Sequence, residues 1–170
     1  FKKILAYGDR GKILWKKDLD LRDPKYAIFP ALNWNTDEFS CAIAIESLKR
    51  LNKTIKFRFN FYKTLKELIN KNSEYLEIYD FKSNDSIFFI PIYFKSNIKT
   101  INKIKFAKKL QKNGVGLNEH YKFLMTDWKW VKKYVHNKNI INAINFRNKS
   151  FNLFVNEKYD NVTASNIIKQ

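Results

Sequence analysis

A chain of 170 residues that is 45% hydrophobic and 16% aromatic can bury a core, which excludes global disorder and bounds the fold to one domain, or to a subdomain plus part of another. Its formal charge of +17 attracts nucleic acid, acidic surfaces and phosphorylated ligands. Cys41 is the only cysteine and no run of about 18 apolar residues occurs, which excludes an internal disulfide, a Cys-based zinc site and a spanning helix.

In chain order, Ile4-Leu5-Ala6-Tyr7 is a short apolar stretch broken by Gly8-Asp9-Arg10-Gly11. Pro24 and Pro30 make residues 18–34 loop-like, because neither position continues a helix. A helix is then predicted from about residue 35. Asn35 or Thr36 serves as its cap, Glu38 completes a capping box, and Asp37 and Glu38 favour the positive end of the helix dipole. The apolar series Phe39, Ala42, Ile45, Leu48, Leu51, Ile55, Phe59, Tyr62, Leu65 and Ile69 advances in steps of three and four. Lys56-Phe57-Arg58-Phe59-Asn60-Phe61 alternates at the strand period, but no turn residue separates it from its helical flanks. One long helix over 35–72, bent near Asn52, is the expectation.

Tyr75–Tyr79 and Ile87–Phe94 read as strands around the turn Asn84-Asp85-Ser86. Pro91 marks the second as an edge strand or a bulge. Residues 100–112 form a basic amphipathic helix with Ile101, Ile104, Ala107 and Leu110 facing inward, stopped by Asn113-Gly114. Val115-Gly116-Leu117 leads into a short strand and a polar loop. Asp127 caps a short helix carrying Trp128, Val131 and Tyr134, and Ile140–Phe146 is another short helix. Ser150–Val155 is a strand, and a last helix begins at about residue 161. Few strands among helices point to an α+β layer, with a small mixed or antiparallel sheet covered by helices on one face.

Little of this carries a self-evident chemistry. His120 and His136 have no carboxylate cluster at ligand spacing, so no metal site is expected. Asp9, Asp18, Asp20 and Asp23 alternate with Lys and Arg and read as a solvated loop. Gly8-Asp9-Arg10-Gly11 is a turn and not a phosphate loop, and no G-x-S-x-G elbow occurs. The lysines are spread along the chain among Asn and Ile, with no arginine-rich block and no glycine-aromatic RNA motif, so no specific nucleic-acid partner and no membrane partner is expected.

Three segments do carry a resemblance. Asn33-Trp34-Asn35-Thr36-Asp37-Glu38-Phe39-Ser40-Cys41-Ala42-Ile43 resembles the N-x-R-x-(S/T)-E-φ-x-A-A-I segment of the pyridoxal-phosphate (PLP) sugar aminotransferases of the DegT/DnrJ/StrS type. Leu117-Asn118-Glu119-His120-Tyr121 with Asp127-Trp128-Lys129-Trp130 is similar to that family's L-N-x-H-Y and E/D-W-x-W stretch. Asn142 to Leu153 is similar to its N-A-x-x-φ-R-x-x-S-φ-N-L segment, and Asn156-Glu157 follows where the family places H/N-E. The three stand in the family's order and spacing. Cys41 takes a small Ala-type position, which implies a buried residue and not a nucleophile.

The resemblance implies the aspartate-aminotransferase-like PLP fold, α/β overall in the parent enzyme. Residues 1–34 would be the tail of the large PLP-binding domain and a connecting loop, 35–72 the interdomain helix, and 73–170 the small C-terminal α+β domain. It implies a cytoplasmic homodimer acting on a nucleotide-linked keto-sugar with an amino donor, in amino-sugar and cell-surface polysaccharide biosynthesis. Asn33 would contact the PLP phosphate of the partner subunit, and His120 and Tyr121 would line the substrate entrance. One departure stands out: the family's Arg two positions after the Asn is Asn35 here, which removes a bidentate anion clamp. The family's Schiff-base lysine stands in an S-x-x-K context upstream of the Asn33 segment, and the S-x-x-K spacing present here, Ser96-Asn97-Ile98-Lys99, lies downstream of it, so no catalytic residue is assigned and the chain by itself is expected to be inactive. Phe1 in place of Met, and a helical pattern running to Gln170 with no stop signal, add the expectation of a truncated chain. The competing class is a basic nucleic-acid- or acidic-surface-binding module without catalysis.

Overall fold

A computed structural model describes residues 1–13, 15–20, 23–32, 36–95, 102–119, 123–135 and 139–170. Among them are helices α1 (Lys2–Gly8), α2 (Glu38–Lys49), α3 (Leu51–Asn72), α4 (Lys103–Lys112), α5 (Ile141–Lys149) and α6 (Asn161–Ile168). The strands are β1 (Leu76–Ile78), β2 (Phe89–Phe94), β3 (Leu117–Asn118) and β4 (Ser150–Phe154). The chain divides into two units, one of Phe1–Ile45 with Lys122–Ile144 and one of Glu46–Tyr121 with Asn145–Gln170.

In the first unit, the chain turns back on itself after α1. Arg10 N–H donates to the Leu32 carbonyl at 2.9 Å, Ile28 N–H to the Gly11 carbonyl at 2.9 Å, and Lys12 bridges Ala27. Gly11 makes this possible: its φ is +69°, and a Cβ there would stand 2.0 Å from the Phe29 oxygen. Asp23 caps a 3₁₀ turn over Pro24–Tyr26 by accepting from Lys25 N–H. The aromatic stretch after residue 124 forms two 3₁₀ turns, Met125–Asp127 and Lys129–Lys133, that bury Val131. Asp127 accepts from Leu124 N–H at 2.8 Å. It therefore closes the turn before it, where the sequence predicts a cap for the helix after it.

The second unit holds a four-stranded sheet, order β1-β2-β4-β3, antiparallel at every pairing. Alternation sends Ile78, Ile90, Ile92, Phe94, Leu117, Phe151 and Leu153 to one face, where they form the core with α3, α4 and α6. α3 contributes Phe61, Tyr62, Leu65 and Ile69, a single stripe of its surface. The alternating 56–61 segment is helical. Phe57 is exposed and Phe61 is buried, so its phenylalanines take successive helical angles instead of one sheet face. Arg58 ties this helix to the sheet by donating to the Ile87 carbonyl at 3.1 Å and pairing with Glu157 at 3.6 Å.

Several expectations are corrected here. The helical run predicted over 35–72 is two helices separated at Arg50, whose φ and ψ of −108° and 5° leave the helix, two residues before the expected bend. Its apolar series is buried only in its last third: no residue of α2 is buried, and Phe39 is 84% exposed. β2 is an interior strand despite Pro91. The Pro91 carbonyl accepts from Tyr79 N–H at 3.0 Å, and the N and O of one residue in a strand face the same side. The missing donor therefore points just past the end of β1, and the ladder to β4 does not need it. In α4 the inward residues are Lys103, Phe106, Ala107 and Leu110; Ile104 is half-exposed, and Ile101 lies outside the described residues. Gly114, φ +86°, ends α4 as predicted.

Candidate functional site

The three residues singled out for cofactor and substrate, Asn33, His120 and Tyr121, lie outside the described residues, as do Asn35 and His136. What the structure describes is the chain on either side. Before residue 33, the Leu32 carbonyl is held by Arg10. After residue 35, α2 begins with Asp37, whose carboxylate accepts from the Ser40 N–H and the Ser40 hydroxyl, each at 2.8 Å. These bonds, the backbone one first, hold the Asp37 carboxyl below its usual range. Asp37 is thus the cap, in place of Asn35 or Thr36. Thr36 instead lies 3.6 Å from the Cys41 sulfur. Cys41 is exposed, contrary to the expected buried position, because no described residue covers the apolar side of α2.

Before His120, Glu119 accepts from Gln111 Nε2 at 3.4 Å, and the same amide donates to the Leu117 carbonyl at 3.1 Å. The described start of the second segment, Leu117–Glu119, is thereby fastened to α4. The third is fastened to α4 as well. Lys103 donates to the Arg147 carbonyl, one of the last four of α5, which have no partner within their own helix. Burial, and then the Arg147 guanidinium, push the Lys103 ammonium down from its ordinary pKa, while Glu119 acts the other way. The apolar pattern points Ile104 inward, where the structure instead turns Lys103. The signal was present: counting back four from Ala107 and seven from Leu110 reaches Lys103, whose apolar stem packs inward while its head finds an acceptor.

Glu157 of the Asn-Glu pair has a structural partner in Arg58. Its own backbone N–H first, and then Arg58, hold its carboxyl low. Tyr62 donates to Asp80 and accepts from Phe81 N–H, which fixes the chain after β1. Asp9 pairs with Arg10 and Asp23 with Lys25, so these acids are neutralised within their own turns. Among the described residues no three His, Cys, Asp or Glu converge as metal ligands, and no helix is long and apolar enough to cross a membrane.

Three of the described lysines have ammonium groups perturbed by their surroundings. A Schiff-base lysine needs a readily deprotonated amine in a pocket. Lys25 and Lys66 are raised by hydrogen bonds to Asp23 and Asp80, and Lys103 is spent on a main-chain carbonyl. An open groove of about 630 Å³ runs between α3 and the start of α6. Its single lysine, Lys63, shares it with Glu67 and Asp160, an arrangement that repels phosphate.

The profile of the DegT/DnrJ/EryC1/StrS aminotransferase family matches residues 8–170. The chain belongs to this family. No curated protein matches it. Among solved structures, the family member is similar to the GDP-4-keto-6-deoxy-D-mannose-3-dehydratase of E. coli with bound hydrated PLP, at 18% identity and a TM-score of 0.67, over 99% of this chain and 47% of that one. It is similar to an aminotransferase from Psychrobacter cryohalolentis at 15% identity and a TM-score of 0.64, over 99% and 47%. The Helicobacter pylori aminotransferase PseC, involved in the biosynthesis of pseudoaminic acid, matches at 18% identity and a TM-score of 0.62, over 98% and 43%. The member thus spans less than half the length of each of these relatives. Identities this low establish the fold. The PLP forms among these neighbours support pyridoxal phosphate as the family's cofactor.

Proposed function

We propose that this chain is the C-terminal part of a PLP-dependent aminotransferase that transfers an amino group to a nucleotide-linked keto-sugar, in amino-sugar and polysaccharide biosynthesis in the cytoplasm. The observation that carries the reading is the family match over residues 8–170, on a chain that spans less than half of its structural relatives. In this reading PLP is held by the rest of the enzyme, which supplies the Schiff-base lysine and an acidic partner for the pyridinium nitrogen. Asn33 contributes one hydrogen bond to the phosphate of the partner subunit's PLP, in a homodimer with shared active sites. His120 and Tyr121 line the entrance for the sugar nucleotide. The described residues of the second unit act as the frame: Gln111 and Lys103 hold the chain next to His120 and the end of α5.

A second reading has support from the comparisons. Two of the similar structures are 3-dehydratases of a GDP-keto-sugar, so removal of a hydroxyl in place of amino transfer is the alternative chemistry on the same frame. The non-catalytic basic module has no such support. The test is the coding frame upstream of Phe1. An in-frame lysine in an S-x-x-K context identifies the aminotransferase, and a histidine at that position the dehydratase. An upstream frame unrelated to PLP enzymes contradicts both.

A further inference from the structure

Along the sequence the positive charge is diffuse; folding gathers part of it. α4 is a ten-residue helix with five lysines and no acid. Its inward arc is Lys103, Phe106, Ala107 and Leu110. Lys105, Lys108, Lys109 and Lys112 are all exposed and stand at i, i+3, i+4 and i+7, the geometry of one straight stripe on the opposite side. Lys109 and Lys112 complement the dipole at the C-terminal end of the helix. Lys105 and Lys108 have no such reason to be basic. None of the four is in an ion pair among the described residues. Neighbours three and four apart therefore repel one another, and the free protein carries that repulsion at a cost to the helix.

We propose that the outer face of α4 docks the protein on a membrane surface bearing anionic phospholipid. Four ammonium groups along about 10 Å of helix can meet one plane together. A juxtaposed anionic leaflet turns their mutual repulsion into attraction. Ile104, 50% exposed on the shoulder of the stripe, enters the interfacial region of the bilayer, where an apolar side chain is favoured. The same face suits nucleic acid less well. It offers point charges for phosphate, but no arginine fork, no amide and no aromatic ring for base edges or stacking, and a phosphate backbone has no use for Ile104.

Sedimentation with vesicles tests this on the chain itself. Wild type is compared with K105Q/K108Q/K109Q/K112Q and with K16Q/K17Q/K71Q/K158Q, exposed lysines elsewhere that remove the same charge. The expected result is binding to phosphatidylcholine vesicles containing phosphatidylglycerol, no binding to pure phosphatidylcholine, and release by salt. The α4 variant loses on the order of a hundredfold in partitioning and the control variant loses about tenfold or less. I104S weakens binding further than its unchanged charge would suggest. Equal losses in the two quadruple variants would overturn the proposal in favour of diffuse charge, and so would absence of wild-type binding. Stronger α4-dependent binding to an RNA homopolymer than to vesicles would reassign the face to nucleic acid.

Discussion

At the scale of single residues, the clearest constraint is Gly11. Its positive φ and the 2.0 Å approach of Phe29 oxygen leave no room for a side chain. Gly11→Ala is expected to lower the stability of the chain by more than about 1 kcal/mol, because strain and a backbone clash act together. Urea unfolding of the two proteins checks it. Asp160 is a second such residue. It caps α6 by accepting from Thr163 N–H at 2.8 Å and from its hydroxyl at 2.7 Å. These bonds, the backbone one first, depress its pKa. A depressed carboxyl stabilises the fold fully above its unfolded value, about 3.9, and the stabilisation is lost as pH falls through the lower folded value. Asp160→Ala should therefore melt below wild type at neutral pH and converge with it in acid, while Asp160→Asn keeps most of the cap. Thermal melts across pH check the sign. Asn33 belongs to the proposal. In the complete enzyme, Asn33→Ala is expected to weaken PLP retention roughly ten- to a hundredfold, the equivalent of one charge-assisted hydrogen bond of about 1.5–3 kcal/mol. Equilibrium dialysis of PLP reads it.

At the scale of elements, legibility followed the strength of the local signal. α3 was readable through a contradictory stretch because helix-spaced residues flank it, and the burial of Phe61, Tyr62, Leu65 and Ile69 shows which period prevails. Asn113-Gly114 stops α4 because a glycine accepts the positive φ that this helix end requires. The failures share a cause, which is that pattern names a residue type but not its neighbour. Pro91 looked like an edge, yet its absent N–H faces the one place where β1 has ended. The pattern points Ile104 inward and is silent on Lys103, yet the head of Lys103 reaches the end of α5. Asp127 looked like the cap of the helical turn after it and instead closes the turn before it. The site residues could be named only by resemblance, since nothing in their own spacing defines a chemistry. A paired substitution separates pattern from context. Leu65→Ala, at 0% exposure, should cost about 2–5 kcal/mol. Pro91→Ala should change stability by less than about 1 kcal/mol in either direction, because no existing ladder hydrogen bond is lost. Denaturant midpoints of the two variants decide whether the β2 geometry is understood.

At the scale of the molecule, the antiparallel sheet and its helices are a frame, and the chemistry proposed for it enters from outside the described residues. Within the frame, Gln111 holds the strand before residue 120, Lys103 holds the end of α5, and Arg58 pairs with Glu157. The central claim is that this frame belongs to a PLP enzyme whose reactive lysine lies elsewhere. It is tested by mixing the purified chain with PLP, reducing with borohydride, and mapping modified lysines by mass spectrometry, beside the complete enzyme treated alike. The account predicts scattered, substoichiometric labelling within residues 1–170, and one stoichiometric lysine upstream of Phe1 in the complete enzyme. A single stoichiometric lysine within residues 1–170 would contradict it.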